Sequence, residues 1–261
     1  MSNLIKIEKK DKILKLILND SNNFNTLSEQ MIKELDSNLY NCAKNNNVKV
    51  IIIAANGPVF SAGHNLKDIN SHRLDNDKGK KYFQELIERC SNLMINIIKN
   101  PKPIIAEVNG VATAAGCQLV ASCDLAYSSQ YGKFATPGVN IGLFCSTPMV
   151  AISRIIKNKH TMEMLLTGEL IDSNKALSIG LINEIYPDNI LSDKVHEMAL
   201  KISNKSSKML KIGKEAFYNQ SEMKIEEAYK YTSSIMIQNM LDSDSKEGIE
   251  AFIEKRKPYW T

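Results

Sequence analysis

Residues 104–124 read IIAEVNGVATAAGCQLVASCD, and this stretch decides the fold. It opens as an apolar strand, turns through Asn109-Gly110, becomes rich in small residues, and continues as an amphipathic helix. Small residues at a strand-to-helix handover let backbone approach a ligand closely. They also leave the first N–H groups of the helix without intrahelical partners. One of these N–H groups is expected to polarise a carbonyl oxygen. A second is expected from an earlier loop, residues 60–67, FSAGHNLK.

The flanking sequence repeats the alternation of strand and helix. Residues 4–8 and 13–18 alternate apolar and polar side chains, which predicts an antiparallel hairpin with one wet face. Thr26-Leu27-Ser28-Glu29 fits a capping box, with Thr26 as N-cap and Glu29 reaching back. The helix that follows sets Met31, Leu35, Leu39 and Cys42 on one stripe. Residues 48–54, VKVIIIA, form the nearly continuous apolar run of a strand covered on both faces. Residues 59–70 read as a loop. Phe83, Leu86, Ile87, Cys90, Leu93, Met94 and Ile97 keep helical spacing up to Asn100-Pro101. Residues 125–128 and 133–135 read as two short strands joined by a tight turn. Beyond Pro148 the sequence is mostly helical, with a late strand at 183–186. This is an α/β pattern followed by a helical arm. Tyr229, Tyr231, Ile235, Met236, Ile237, Met240 and Leu241 put apolar side chains on more than one face of that arm, which suits packing on a second subunit.

Composition narrows the function classes. The 261 residues are 43% hydrophobic, ample for a sizeable core, and carry a formal net charge of +4. Lysines are spread rather than massed, which argues against nucleic acid as a partner. The five cysteines form no CxxC pair, and the odd count suits reduced thiols. No apolar run approaches the ~20 residues of a membrane span. The N-terminal MSNLIKIEKKDK looks like neither a signal nor a transit peptide, so a cytoplasmic protein is expected. The four histidines lack metal-ligand spacing, so no metal is expected. No GxGxxG or Walker pattern is present to support nucleotide chemistry.

The residues that could carry chemistry gather in two loops. Two converging backbone N–H groups stabilise charge on an acyl oxygen by ~3 kcal/mol per donor. Ala114-Ala115-Gly116 and Ser61-Ala62-Gly63-His64 suit this role, although small residues also suit tight packing of a helix on a sheet. His64 could act as acid or base, lend only its backbone N–H, or fill space. Gln118 lies near one turn beyond Ala115; its amide can orient water or a carbonyl but is no base. Cys145 and Ser146 could be nucleophiles or simply line a pocket. Glu107 and Asp124 read as structural. Lys255-Arg256-Lys257 suits a helix C-terminus or a phosphate clamp.

PVFSAGHNLKDI, KPIIAEVNGVATAAGCQLVASCDLAYSS, FATPGVNIGL and GIEAFIEKRKPYW resemble the crotonase (enoyl-CoA hydratase/isomerase) superfamily, from about Leu4 to Trp260. VNGVATAAGCQLVASCDLA with FATPGVNIGLFCSTP more narrowly resembles its enoyl-CoA hydratase domain-containing protein 3 subgroup. The resemblance implies a spiral of ββα units over residues 1–200. It implies a helical arm over 201–261 for oligomerisation and coenzyme A contact, in a homotrimer or a dimer of trimers. The implied ligand is an acyl-coenzyme A thioester, with coenzyme A part of the substrate and no separate cofactor. His64 and Ala115 match the two oxyanion-hole donors. Ala62 and Leu66 match positions that hold adenine and pantetheine, with Lys67 in the same loop. Gly116 and Cys145 line the substrate. Phe252 and Lys255 match positions that reach coenzyme A, commonly that of a neighbour.

One departure bears on the reaction. The hydratases of this family use two glutamates, and the matching positions here are Gln118 and Gly138. Weak or absent hydration is therefore expected. The alternatives are acyl-CoA decarboxylation, thioester hydrolysis, or acyl-CoA binding without turnover.

Overall fold

The computed structural model describes residues 4–260. In chain order the elements are β1 (Ile5–Lys10), β2 (Ile13–Leu18), α1 (Glu29–Lys44), β3 (Val50–Ala55), β4 (Val59–Ser61), α2 (Leu66–His72) and α3 (Lys80–Lys99). Then come β5 (Ile104–Val108), β6 (Val111–Thr113), α4 (Ala115–Ser122), β7 (Leu125–Ser129), β8 (Lys133–Ala135), α5 (Pro148–Ile152) and α6 (Asn158–Thr167). The chain continues with β9 (Ile171–Asp172), α7 (Ser173–Ser178), β10 (Glu184–Tyr186), α8 (Asp188–Ser203), α9 (Ser207–Gln220), α10 (Ile225–Met240) and α11 (Ser243–Ile253).

Two sheets share the strands by turns. One runs β1-β2-β3-β5-β7-β10 and the other β4-β6-β8-β9. Each of three successive units sends its first strand (β3, β5, β7) to the larger sheet and its second (β4, β6, β8) to the smaller. Pairing between units is parallel, as crossovers require; β1 with β2 and β8 with β9 are antiparallel. This is the spiral of ββα units. The apolar run of β3 is explained by its two buried faces. Ile51 and Ile53 join the core under α1 and α3, while Val50 and Ile52 meet Leu191, Val195 and Ala199 of α8. Among the described residues, no helix is long and apolar enough to cross a membrane.

Two sequence expectations change in the folded chain. Ser28, not Thr26, caps α1, accepting the Met31 N–H at 3.2 Å, so Glu29 begins the helix and no capping box forms. Residues 59–70 are not loop throughout, because β4 pairs with β6 and Asn65 caps α2 by accepting the Lys67 N–H. The two short strands expected at 125–128 and 133–135 are present as β7 and β8, and the turn between them is the step from one sheet to the other. In each case a tertiary partner decided what local pattern left open. The outer ends of the two expected segments, residues 1–3 and 261, lie outside the described residues.

Close approach fixes α4. A Cβ on Gly116 would stand 2.2 Å from Ser61 O and 2.8 Å from Ser61 Cβ, so only glycine lets the helix sit on β4. Gly213, exposed within α9, would meet nothing within 4 Å. Gly116→Ala should therefore cost about 3 kcal/mol, the upper end for overpacking. Gly213→Ala should instead stabilise by roughly 0.5–1 kcal/mol through helix propensity. Urea unfolding of the two variants checks both signs; equal midpoints would refute the packing account.

Candidate active site

The two loops expected to hold donors meet at one point. Gly63 has φ +85°, and a Cβ there would touch Ala114 Cβ at 3.0 Å, Thr113 O at 3.0 Å and Ala115 N at 3.1 Å. His64 therefore follows a glycine pressed on the N-terminus of α4. Ala114 adopts φ +50° and ψ −118°, a conformation strained for any residue with a Cβ. It is held there by donating its N–H to Ala135 O and accepting the Gln118 N–H, both at 3.0 Å. Ala115 begins the helix, so its N–H has no intrahelical acceptor. Among the described residues, neither the His64 nor the Ala115 N–H donates to another group.

The His64 loop is buttressed by residues 20–27, whose part sequence reasoning missed. Leu27 N–H donates to Gly63 O at 2.8 Å, and Ala62 N–H donates to Phe24 O at 3.1 Å. Asn25, fully buried, donates to Asn56 O and Val59 O and accepts the Asp20 N–H. The signal was Asn25 itself, a turn residue that tolerates its φ of +49°. Phe24 is left 57% exposed beside Ala62. An aromatic in a polar turn was its only sequence mark.

The His64 ring has a defined role available to it. Nδ1 lies 3.1 Å from Leu27 O, which can only accept, so Nδ1 carries the proton. Nε2 is buried without a partner among the described residues. Burial holds the imidazole below its ordinary value, against the opposing hydrogen bond to Leu27. The neutral ring thus keeps a lone pair at Nε2.

The other expected positions divide. Gln118 is 4% exposed, and its Oε1 is buried and unpartnered among the described residues. Gly138 is buried in the turn after β8, with Cys145 packed against it. Gly116 is the contact of α4 with β4 already described. Leu66 is 52% exposed and Lys67 is exposed at the start of α2, near Ala62 in sequence and on the rim of the site. Phe252 and Lys255 lie at the far end of α11. Hydrogen bonds there join Lys255 to Phe252 and Trp260 to Asn204; none reaches the His64 or Ala115 segments among the described residues.

Asp124 and Glu107 are structural, as their settings in the sequence suggested. Glu107 pairs with Lys15 at 2.7 Å. Asp124 accepts from Ile104 N–H, Lys214 Nζ and Tyr218 Oη at 2.7, 2.7 and 3.0 Å. That cluster borders a cavity of ≈ 1120 Å³ at the C-terminal end of α4, away from Ala115. Its polar groups satisfy one another, so the candidate chemistry lies at the other end of the helix. Among the described residues, no three His, Cys, Asp or Glu side chains are grouped to hold a metal.

Known proteins resemble this chain in sequence and fold. The enoyl-CoA hydratase/isomerase family profile matches residues 8–261, and the chain belongs to that family, with the crotonase fold. It is similar to the mitochondrial enoyl-CoA hydratase domain-containing protein 3 of Xenopus laevis, 45% identical over 98% of this chain and 85% of that one. The crystal structure of the human enoyl-CoA hydratase domain-containing protein 3 superposes with a TM-score of 0.93 at 45% identity, covering 98% of this chain and 100% of that one. An enoyl-CoA hydratase structure from Mycobacterium smegmatis gives 0.93 at 40% identity, covering 98% of each. The expected cytoplasmic location is corrected by these relatives. The frog, mouse and human proteins are all named mitochondrial, which points to mitochondria rather than cytoplasm. The expectation had rested on the look of the first twelve residues, which carries no such information.

Two measurements follow from the local geometry. The folded state holds His64 with a lowered pKa, so the unfolded chain takes up this proton first as pH falls. The associated stability is complete above about pH 6.5, the ordinary histidine value, and is lost toward the lower folded one. His64→Gln should flatten the decline in urea midpoint between about pH 7 and pH 5; an unchanged slope would refute the assignment. Ala114→Gly should raise the melting temperature, because relief of about 1–3 kcal/mol of strain exceeds the ~0.4–1 kcal/mol of added unfolded-state entropy. A lower melting temperature would show that the φ of +50° costs nothing.

Proposed function

We propose that this chain binds an acyl-coenzyme A thioester and holds the negative charge of its enolate on the N–H groups of His64 and Ala115. The observation that carries this reading is the contact of Gly63 with Ala114 and Ala115, which brings together two N–H groups that donate nowhere else among the described residues. Charge on a thioester oxygen grows when the α carbon becomes a carbanion. Two fixed donors stabilise that state by ~3 kcal/mol each. Ala62, Leu66 and Lys67 receive the coenzyme A portion at the rim, and the exposed Phe24 ring beside Ala62 offers a stacking surface.

Conventional hydration is weak or absent in this reading. Adding water across a double bond needs groups that take and give protons, each worth ~10²–10⁴ in rate. Gln118 has no titratable group and Gly138 has no side chain. The activity belongs instead to the lyase and isomerase chemistry that an enolate can enter. Residues 201–261 form an arm that assembles the chain as a trimer or a dimer of trimers. Exposed Ile237, Leu241 and Phe252 support this, being 59%, 83% and 86% exposed. A neighbour's Phe252 and Lys255 then complete the coenzyme A site.

Calorimetry should detect acetyl-CoA binding that Gly63→Val abolishes, since a branched side chain there strikes Ala114 and Ala115. Absence of binding by the wild type would end the proposal. Crotonyl-CoA turnover should lie at least ~10³-fold below that of a glutamate-bearing hydratase. Gly138→Glu alone should not restore it, because the new Cβ meets Cys145 Sγ at 3.0 Å. Gln118→Glu with Gly138→Glu and Cys145→Ala should raise it by ~10² or more. Light scattering of Ile237→Glu/Leu241→Glu should give the 29.3 kDa monomer, against a multiple of that mass for the wild type.

A further inference from the structure

Lysines that are spread along the sequence meet at one end of the fold. Lys12 lies in the β1–β2 turn, and its carbonyl accepts the Lys49 N–H at 2.7 Å. The Lys49 ammonium donates to Lys205 O, in the turn between α8 and α9, at 3.3 Å. Pro103 O accepts the Ile51 N–H at 2.9 Å, which seats Lys102 beside the start of β3. Lys102 O accepts from the Lys214 ammonium at 3.1 Å, and Lys211 precedes Lys214 by one turn of α9. Lys99 ends α3, three residues before Lys102, and borders the same cavity as Lys211. Bonds between distant segments thus gather the six side chains on one face.

None of these six lysines forms an ion pair among the described residues. The acids beside them are Asp11, which faces His196 at 3.3 Å, buried Asp244, which accepts the Ser206 hydroxyl, and Glu215, one turn beyond Lys211. Asp124 and Asp242 are engaged by Lys214 and Lys208. Six lysines against three acids place most of the chain's formal +4 at this end. Burial, with Lys12 close by, holds Lys49 below its ordinary value against the pull of Asp244. Burial, with Lys211 and Lys49 close by, does the same to Lys102. The cluster is therefore short of counter-charge. Aromatic side chains stand at its edge. Trp260 Nε1 donates to Asn204 O at 2.7 Å, next to Lys205, and the adjoining Tyr259 is 81% exposed.

We propose that this end of the chain docks on a bilayer surface rich in anionic phospholipid, with the lysines set against headgroup phosphates. Clusters of four to eight basic residues attract acidic lipid, and tyrosine and tryptophan favour the boundary between water and acyl chains. A protein partner fits less well, because specific protein interfaces disfavour lysine and are anchored by arginine and aromatic side chains. A lysine is a hydrated point charge that needs no fixed partner geometry, which suits a fluid surface. Docking leaves the candidate site free. Asp124, just past the C-terminal end of α4, binds the Ile104 N–H two residues from Lys102, whereas Ala115 begins that helix about 12 Å away.

The test is flotation of the full chain with vesicles of phosphatidylcholine alone, or of phosphatidylcholine with about 30% phosphatidylglycerol, at about 0.1 M and about 1 M salt. The chain should float with the anionic vesicles at the lower salt, remain unbound with the neutral ones, and be released at the higher salt. The emission of Trp260, the chain's single tryptophan, should shift to the blue on the anionic vesicles. Lys102→Gln/Lys211→Gln should weaken binding about 25-fold, at about 5-fold per lysine, while keeping the circular dichroism of the wild type. Should that variant misfold, Lys12→Gln/Lys205→Gln should show the same loss. Lys80→Gln/Lys81→Gln removes equal charge at the opposite end of α3 from Lys99 and should bind as the wild type does. Absence of flotation, equal binding to neutral vesicles, equal weakening by the Lys80 and Lys81 substitutions, or an unmoved Trp260 emission would each overturn the proposal. So would tighter binding to a DNA duplex of about 20 base pairs than to the anionic vesicles, which would make the face a nucleic-acid surface.

Discussion

Everything at the candidate site depends on how closely α4 lies on β4. Gly116 permits a backbone approach that any Cβ would block at 2.2 Å, and Gly63 permits a second contact at 3.0–3.1 Å. These two glycines face each other across the same junction, one on the helix and one on the loop. Together they set the separation of the His64 and Ala115 N–H groups. Preorganised donors act strongly because no reorganisation is needed when charge develops. The helix is pinned at its other end as well. Asp124 binds the start of β5, Lys214 and Tyr218 of α9. The Lys214 ammonium also donates to Ile97 O and Lys102 O, so its three hydrogens have three acceptors. A buried pair so fully satisfied is costly to break, by about 3–5 kcal/mol when one partner is removed. The short α4 is therefore clamped at both ends, and its first N–H has little freedom to drift.

Strain and unsatisfied polarity collect at the open end of this clamp. Ala114 sits in a conformation that costs about 1–3 kcal/mol. His64 Nε2, Gln118 Oε1 and Thr136 Oγ1 are three of the seven buried side-chain polar atoms without partners among the described residues, and they belong to three segments that meet at Ala114. The first reaches it through Gly63, the second lies in the helix that Ala114 starts, and the third follows Ala135, which accepts the Ala114 N–H. Natural cores tolerate few such atoms. Their position beside two N–H groups that donate nowhere among the described residues supports the proposed site at this end of α4 rather than at the ≈ 1120 Å³ cavity at the other. In that cavity Lys214, Asp124 and Tyr218 are already hydrogen-bonded to one another.

The parts of this picture legible in the sequence were those written in local pattern. The run VKVIIIA announced a strand covered on both faces, and the Leu35, Leu39, Cys42 stripe announced the core side of α1. The small-residue stretch at 114–116 announced the handover to a helix. What stayed hidden depended on partners distant in the chain. β4 and β6 are three residues each and carry no periodicity; they exist because they pair with each other. Ser28 displaced Thr26 as helix cap because Leu27 is drawn into the core and bonds Gly63 and His64. The buttress formed by residues 20–27 was equally silent, since a turn-rich stretch says nothing about what it will support. Cys145 could be read as a nucleophile or as a residue lining a pocket. Its contact with Gly138 depends on the path of residues 138–145, which no pattern specifies.

The residues present at Gln118 and Gly138 also have an electrostatic consequence. Two carboxylates at positions 118 and 138 would give the pocket negative charge and repel a second anionic group inside it. At an effective dielectric of 20, like charges about 4 Å apart repel by about 4 kcal/mol. An amide, a glycine and a protonated thiol contribute no net charge. The site is thus made neutral by the same replacements that remove its acid–base groups. The volume left by the missing side chain at 138 is taken by the Cys145 Sγ, so the loss of charge opens no void, and the turn keeps its packing while the chemistry available to it changes.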